Sequence, residues 1–172
     1  MNTNLISDAE LADLARQVDD QLNALQFQSA GRVQFRSVAP GEPAELPAAP
    51  HQQAVIERTA GEPFETFWQK YKRALRRDLC LPGGLLHEKW QKWRDLPSKD
   101  AVKVSVSVLA GMGFATATVP TLAVAATVFL LNVLTKAGIE AVCEGCAEEE
   151  AARDEARKKA AAEKSNPSRR GV

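Results

Sequence analysis

From Val104 to Thr135 the chain runs 32 residues without one charged side chain, between Lys103 and Lys136. Such a run has two homes. It lies in lipid, or the rest of the chain covers it in water. A spanning helix needs about 20 apolar residues to cross roughly 30 Å of hydrocarbon. Residues 113–135 meet that length, with Asn132 as the one strongly polar side chain. Gly113, Pro120, Val124, Phe129, Leu131 and Leu134 mark this candidate membrane segment. Gly111 and Ala115 stand four apart, a spacing of small residues that lets helices approach closely in lipid.

The flanks favour a membrane. Five basic side chains (Lys89, Lys92, Arg94, Lys99 and Lys103) fall in the twenty residues before Val104. Only Lys136 and Arg153 fall in the twenty from Lys136 onward. The positive-inside bias then places the N-terminal part in the cytoplasm. Trp90 and Trp93 beside those lysines are of the type that settles at headgroup level.

Other features oppose a single span. Pro120 interrupts the run and would kink or divide one helix. Val102, Val104, Val106 and Val108 alternate with Lys103, Ser105 and Ser107, the period of a strand. The competing arrangement is a buried hairpin of two helices joined near Pro120 and covered by amphipathic helices upstream.

Those upstream helices are well signalled. Ser7 and Glu10 form a capping box, in which hydroxyl and carboxylate each take up an orphan amide. Leu11, Leu14, Val18, Leu22 and Leu25 follow at spacings of three and four and make one apolar stripe for a partner helix or for the rest of the chain. A second helix begins near Pro63 and carries Phe64, Phe67, Trp68, Tyr71, Leu75 and Leu79 at the same spacing. Lys70, Lys72, Arg73, Arg76 and Arg77 crowd its remaining surface. Trp68, Lys70, Arg73, Arg77, Trp90 and Trp93 are therefore the candidate membrane-interface or partner face, with burial of the aromatics in a core as the plainer alternative. Gly83 and Gly84 permit a sharp turn, a third helix follows, and Ser98 is a candidate N-cap after Pro97.

Between these helices, residues 31–38 alternate as extended chain, and residues 39–50 hold four prolines, a semi-rigid linker. Residues 147–164 are alanine-rich with charge on every side, which predicts a solvated helix. The divisions are 1–38, 39–62 (the linker), 63–103, 104–142 and 143–172. Formal charge follows them: net −5 over residues 1–63, net +5 over 64–103, and eight charges of each sign over 136–172.

Three cysteines, Cys80, Cys143 and Cys146, are too few and odd in number for a disulfide framework, so reduced thiols and a reducing, cytoplasmic setting are expected. Cys143 and Cys146 form C-x-x-C without the surroundings of a redox pair, and no spacing gathers four ligands for zinc. His51 and His87 are isolated. The sequence has no Walker loop, no G-x-S-x-G and no H-E-x-x-H, and no nucleic-acid fold signature. No metal, cofactor or catalytic residue is assigned.

The expectation is a mainly α chain: amphipathic helices plus one long uncharged apolar segment, a flexible proline-rich linker and a charged tail. Its expected role is that of a small non-enzymatic, membrane-anchored interaction or accessory protein. It would meet a lipid bilayer, and protein partners through the leucine stripe, with homo-oligomers allowed. Two alternatives remain. One is a membrane-permeabilising protein, sharing the physical traits of holins and toxin hairpins. The other is a soluble, cytoplasmic helical binding module whose apolar hairpin is core.

Overall fold

Ser7 opens the first helix in the computed structural model, which describes residues 6–30, 49–93, 96–143, 151–152 and 154–160. The expected capping box forms. The Ser7 amide donates to Glu10 Oε2 at 2.8 Å, and the Glu10 amide donates to Ser7 Oγ at 3.2 Å. These bonds, the Ser7 amide first, hold the Glu10 carboxyl below its ordinary value. Helix α1 then runs Asp8–Ala30 and buries Leu11, Leu14, Ala15 and Val18.

Helix α2, Pro50–Ala60, occupies what the sequence marks as the second half of the 39–62 linker. Pro50 does not prevent it, because a first-turn residue needs no amide partner. Gln52 and Ile56, four apart, are both buried, and α2 packs on α6 (below). Gly61 ends the helix at φ 70°, donating to Glu57 O at 3.0 Å. Residues 31–48, including the extended segment and three of the four linker prolines, lie outside the described residues.

Helix α3, Phe64–Cys80, buries all six of its expected apolar residues. A tight corner at residues 81–84 leads into α4, Leu85–Trp93. A Cβ on Gly84 would stand 2.3 Å from Asp78 O, so only glycine lets the chain pass the end of α3.

The apolar run divides into two helices, α5 (Ser98–Gly111) and α6 (Val119–Ala137). The valine–serine alternation is therefore helical, not strand. Ala101, Val102, Ser105, Val106 and Leu109 recur at three and four and are buried, while Lys103 and Ser107 are exposed. Ser98 is not the cap: Pro97 holds that position, and the Ser98 hydroxyl donates to the Asp19 carboxylate on α1. Pro120 starts α6 from its first turn rather than kinking it, so the hairpin joins at residues 112–118, where Gly113 adopts φ 88°.

Helix α6 is the axis. Leu122 to Leu134 are buried without interruption. Helices α1, α2 and α5 pack on it, and Phe64 and Trp68 of α3 meet Phe129 edge-on at 4.7 and 4.8 Å. Every described regular element is helical. A short α7, Glu140–Cys143, closes the series.

The chain divides into two compact units, Met1–Val142 and Cys143–Val172. In the second, residues 154–160 are helical and exposed throughout, as charge on all sides requires.

Two outcomes follow. Gly84→Ala forces a backbone shift at the α3–α4 corner and should cost about 1–3 kcal/mol in urea unfolding. The capping box should fail in acid: because folding lowers the Glu10 carboxyl, its contribution is present at neutral pH and is lost as pH falls through the carboxylate range. Glu10→Ala should remove that part of the acid-dependent loss of helicity, read by circular dichroism.

Candidate functional site

Buried polar groups show where an otherwise apolar bundle does something other than fill space. Ser105 on α5 lies at the centre of one such group. Its hydroxyl donates to Ala101 O at 2.9 Å, which uses its one proton. It must then accept from both other neighbours, Tyr71 Oη at 2.6 Å and Thr127 Oγ1 at 2.8 Å. The three side chains join α3, α5 and α6. Desolvation pushes the Tyr71 phenol well above its usual range, only partly opposed by the bond to Ser105. A neutral tyrosine held as a donor is a packing element, with no proton to exchange near neutral pH.

A second polar group lies in a cleft between α1, α2 and the first turns of α6. The cleft encloses about 330 Å³. Leu14, Val55, Pro120, Val124 and Ala125 give it an apolar lining, and Gln17, Gln21, His51, Gln52 and Thr121 give it polar atoms. Gln52 is 3% exposed. Its Nε2 donates to Gln21 Oε1 at 3.3 Å, and its Oε1 has no partner among the described residues. A buried carbonyl left unpaired costs about 1–3 kcal/mol. Gln17 and His51 are exposed at the rim. Sequence reasoning missed Gln52, because nothing in the linker region signals a helix that turns a glutamine inward, and Gln21, on α1, lies outside the apolar stripe read there.

A third feature is a wider groove of about 900 Å³ between α1, α4 and the C-terminal half of α6. It brings together four residues marked from sequence: Leu22, Trp90, Leu131 and Leu134.

The remaining marked residues are placed as follows. Leu11, Leu14 and Val18 of the leucine stripe are buried within the chain, and Leu22 and Leu25 are half-buried. Of the apolar segment, Val124, Phe129, Leu131 and Leu134 are buried, Pro120 is half-buried and Gly113 is exposed in the turn. On α3 the aromatics and the charges part company. Trp68 is 1% exposed, stacked against Tyr71 and Phe64, while Lys70, Arg73 and Arg77 form an exposed stripe. Lys70 pairs with Glu62 at 2.5 Å. The α3 aromatics are thus in the core of the chain. Trp93 ends α4, and its side chain lies outside the described residues.

The cysteines depart from expectation. Cys80 and Cys143 are both disulfide-bonded, where the sequence suggested reduced thiols. Cys146 lies outside the described residues. His87 Nδ1 bonds Leu79 O at 3.1 Å, a packing contact between α3 and α4. Among the described residues no group of three or more His, Cys, Asp or Glu side chains is placed to hold a metal ion.

Among the described residues one helix, α6, is long and apolar enough to cross a membrane, and 78% of its most apolar window is buried inside the protein. No protein-family model, curated protein or solved structure matches the chain.

The Ser105 junction makes an ordered forecast. Ser105→Ala strands the Tyr71 and Thr127 hydroxyls and should cost about 2–5 kcal/mol, whereas Tyr71→Phe removes a donor alone and should cost about 1 kcal/mol. Denaturant midpoints of the two variants check the order.

Proposed function

We propose that this chain is a non-enzymatic helical binding module that carries its apolar hairpin as a core in water. The observation that carries this reading is the burial of α6. Leu122 to Leu134 are covered on every face by helices of the same chain. A helix apolar all round is stable in water only when so enclosed. The polar bonds of Ser105 and Thr127 support it, since both residues belong to the uncharged run and meet the protein instead of lipid. A structural use for Tyr71 supports a binding role over proton-transfer chemistry. The disulfide-bonded state of Cys80 and Cys143 favours oxidising surroundings over a reducing cytoplasm.

A second reading rests on the length of α6. A 19-residue helix of this composition can cross a bilayer. Doing so would require α1, α2 and α5 to leave it, exposing the buried faces of all three. At 14 residues, or about 21 Å, α5 is too short to cross beside it.

Purification decides between them. The core reading expects a monodisperse protein without detergent, absent from the pellet after alkaline carbonate. It also expects Leu130→Asp to unfold the chain, because an unpaired charge at a fully buried position costs several kcal/mol. A carbonate-resistant pellet, or a Leu130→Asp variant that stays folded, rejects it.

A further inference from the structure

Helix α1 changes character at Gln21. Residues 8–20 carry five acidic side chains and one basic, whereas residues 21–30 carry no charge at all. This uncharged half is not hidden. Asn23, Ala24, Gln26 and Phe27 are exposed, and Phe27, at 83%, is the most exposed large apolar side chain among the described residues. The same half of α1 supplies Leu22, Asn23 and Gln26 to the wide groove between α1, α4 and α6. We infer that a second copy of this chain docks here: two copies meet about a two-fold axis, and the Phe27 ring of each enters the groove of the other. The inference rests on the core reading of α6, because α6 forms the floor of that groove.

Ring and groove suit each other. Leu131 and Leu134 lie at the floor, and Leu22 and Trp90, both half-buried, offer open apolar surface to an entering side chain. At about 900 Å³ the groove has room for an aromatic ring. Phe27 cannot fill it from its own chain. Five residues beyond Leu22 place it about 140° further round the helix, so its ring leaves α1 on a different side. A partner's ring meets no such limit. A two-fold axis makes every contact twice, so one ring-in-groove contact becomes two. An aromatic anchor in a patch without charge is also what the centre of a protein interface requires.

The borders of the patch carry opposite charge. Asp20 is exposed where α1 turns acidic. Lys99 and Lys136 are exposed on the other walls, each next in sequence to a groove residue, Ser98 or Thr135. With Phe27 of one copy in the groove of the other, the acidic half of the first α1 runs out over a rim that holds these lysines. Ion pairs at an exposed rim add little affinity, but they set which way the two copies face. The chain thus carries both an apolar anchor with its receptor and a matching pair of charged borders, the self-complementarity that a two-fold contact demands.

Sedimentation velocity of the full chain without detergent should show a reversible monomer–dimer equilibrium, in the micromolar range expected of a small interface. Phe27→Ser should weaken the dimer at least tenfold with the helical signal unchanged, because so exposed a side chain supports no core. Asn23→Trp, which fills the groove from its own wall, should do the same. In a mixture of copies labelled on phenylalanine rings and copies labelled on leucine methyls, magnetic resonance contacts between copies should join Phe27 to the groove leucines and vanish in Phe27→Ser. A folded chain that stays monomeric up to about 1 mM overturns the proposal. Undiminished association of Phe27→Ser, growth into open oligomers, or a dimer whose copies touch only elsewhere overturns it as well. Each of these leaves the core reading standing. A wild type that folds only in detergent overturns the core reading and the dimer together, so the two failures are separable.

Discussion

Covering an uncharged helix on every side is the constraint from which the rest of this fold follows. Helix α6 has no polar face to turn outward from Leu122 to Leu134. One neighbour cannot enclose it, because a single helix contact shields only part of the circumference. Helices α1, α2 and α5 pack along it, and the α3 aromatics close on Phe129. Each covering helix then needs one apolar face and one wet face. Their amphipathic character is the complement of α6 having none.

That division explains how much of the fold was legible in the sequence. Helices α1 and α3 bury one stripe each, so their periodicity survives in the residue order, and Ser7 and Glu10 even mark where α1 begins. The identity of α6 as an apolar helix was equally plain. Its surroundings were not, because lipid and a protein interior impose the same composition. Basic residues and tryptophans before Val104 favoured lipid, yet Lys89 pairs with Asp100 and Trp90 lines a groove of the same chain. Helix α5 looked like a strand because its buried face is broad. A wide helical face that takes Val102, Val104 and Val106 while exposing Lys103 imitates alternation over a few residues.

The cleft between α1, α2 and α6 was the least legible part. Its lining comes from three helices far apart in sequence, and its buried polar residue is a glutamine in a stretch flanked by prolines. Composition marks Pro50 as a breaker, but the first turn of a helix tolerates it. Gln52 carries no local sign of burial. Only the packing of α2 on α6 turns it inward.

The junction at Ser105 bears on alignment as well as on stability. Alanine, valine and leucine repeat along α5 and α6, so sliding one helix past the other by a turn would exchange similar side chains at little loss of apolar contact. Hydroxyls cannot be exchanged so freely. A shift that takes Ser105 away from Thr127 or Tyr71 leaves oxygens facing carbon in a dry interior. In a hairpin otherwise made of interchangeable parts, three oxygen atoms act as the vernier that selects one register of α5, α6 and α3 from its near neighbours.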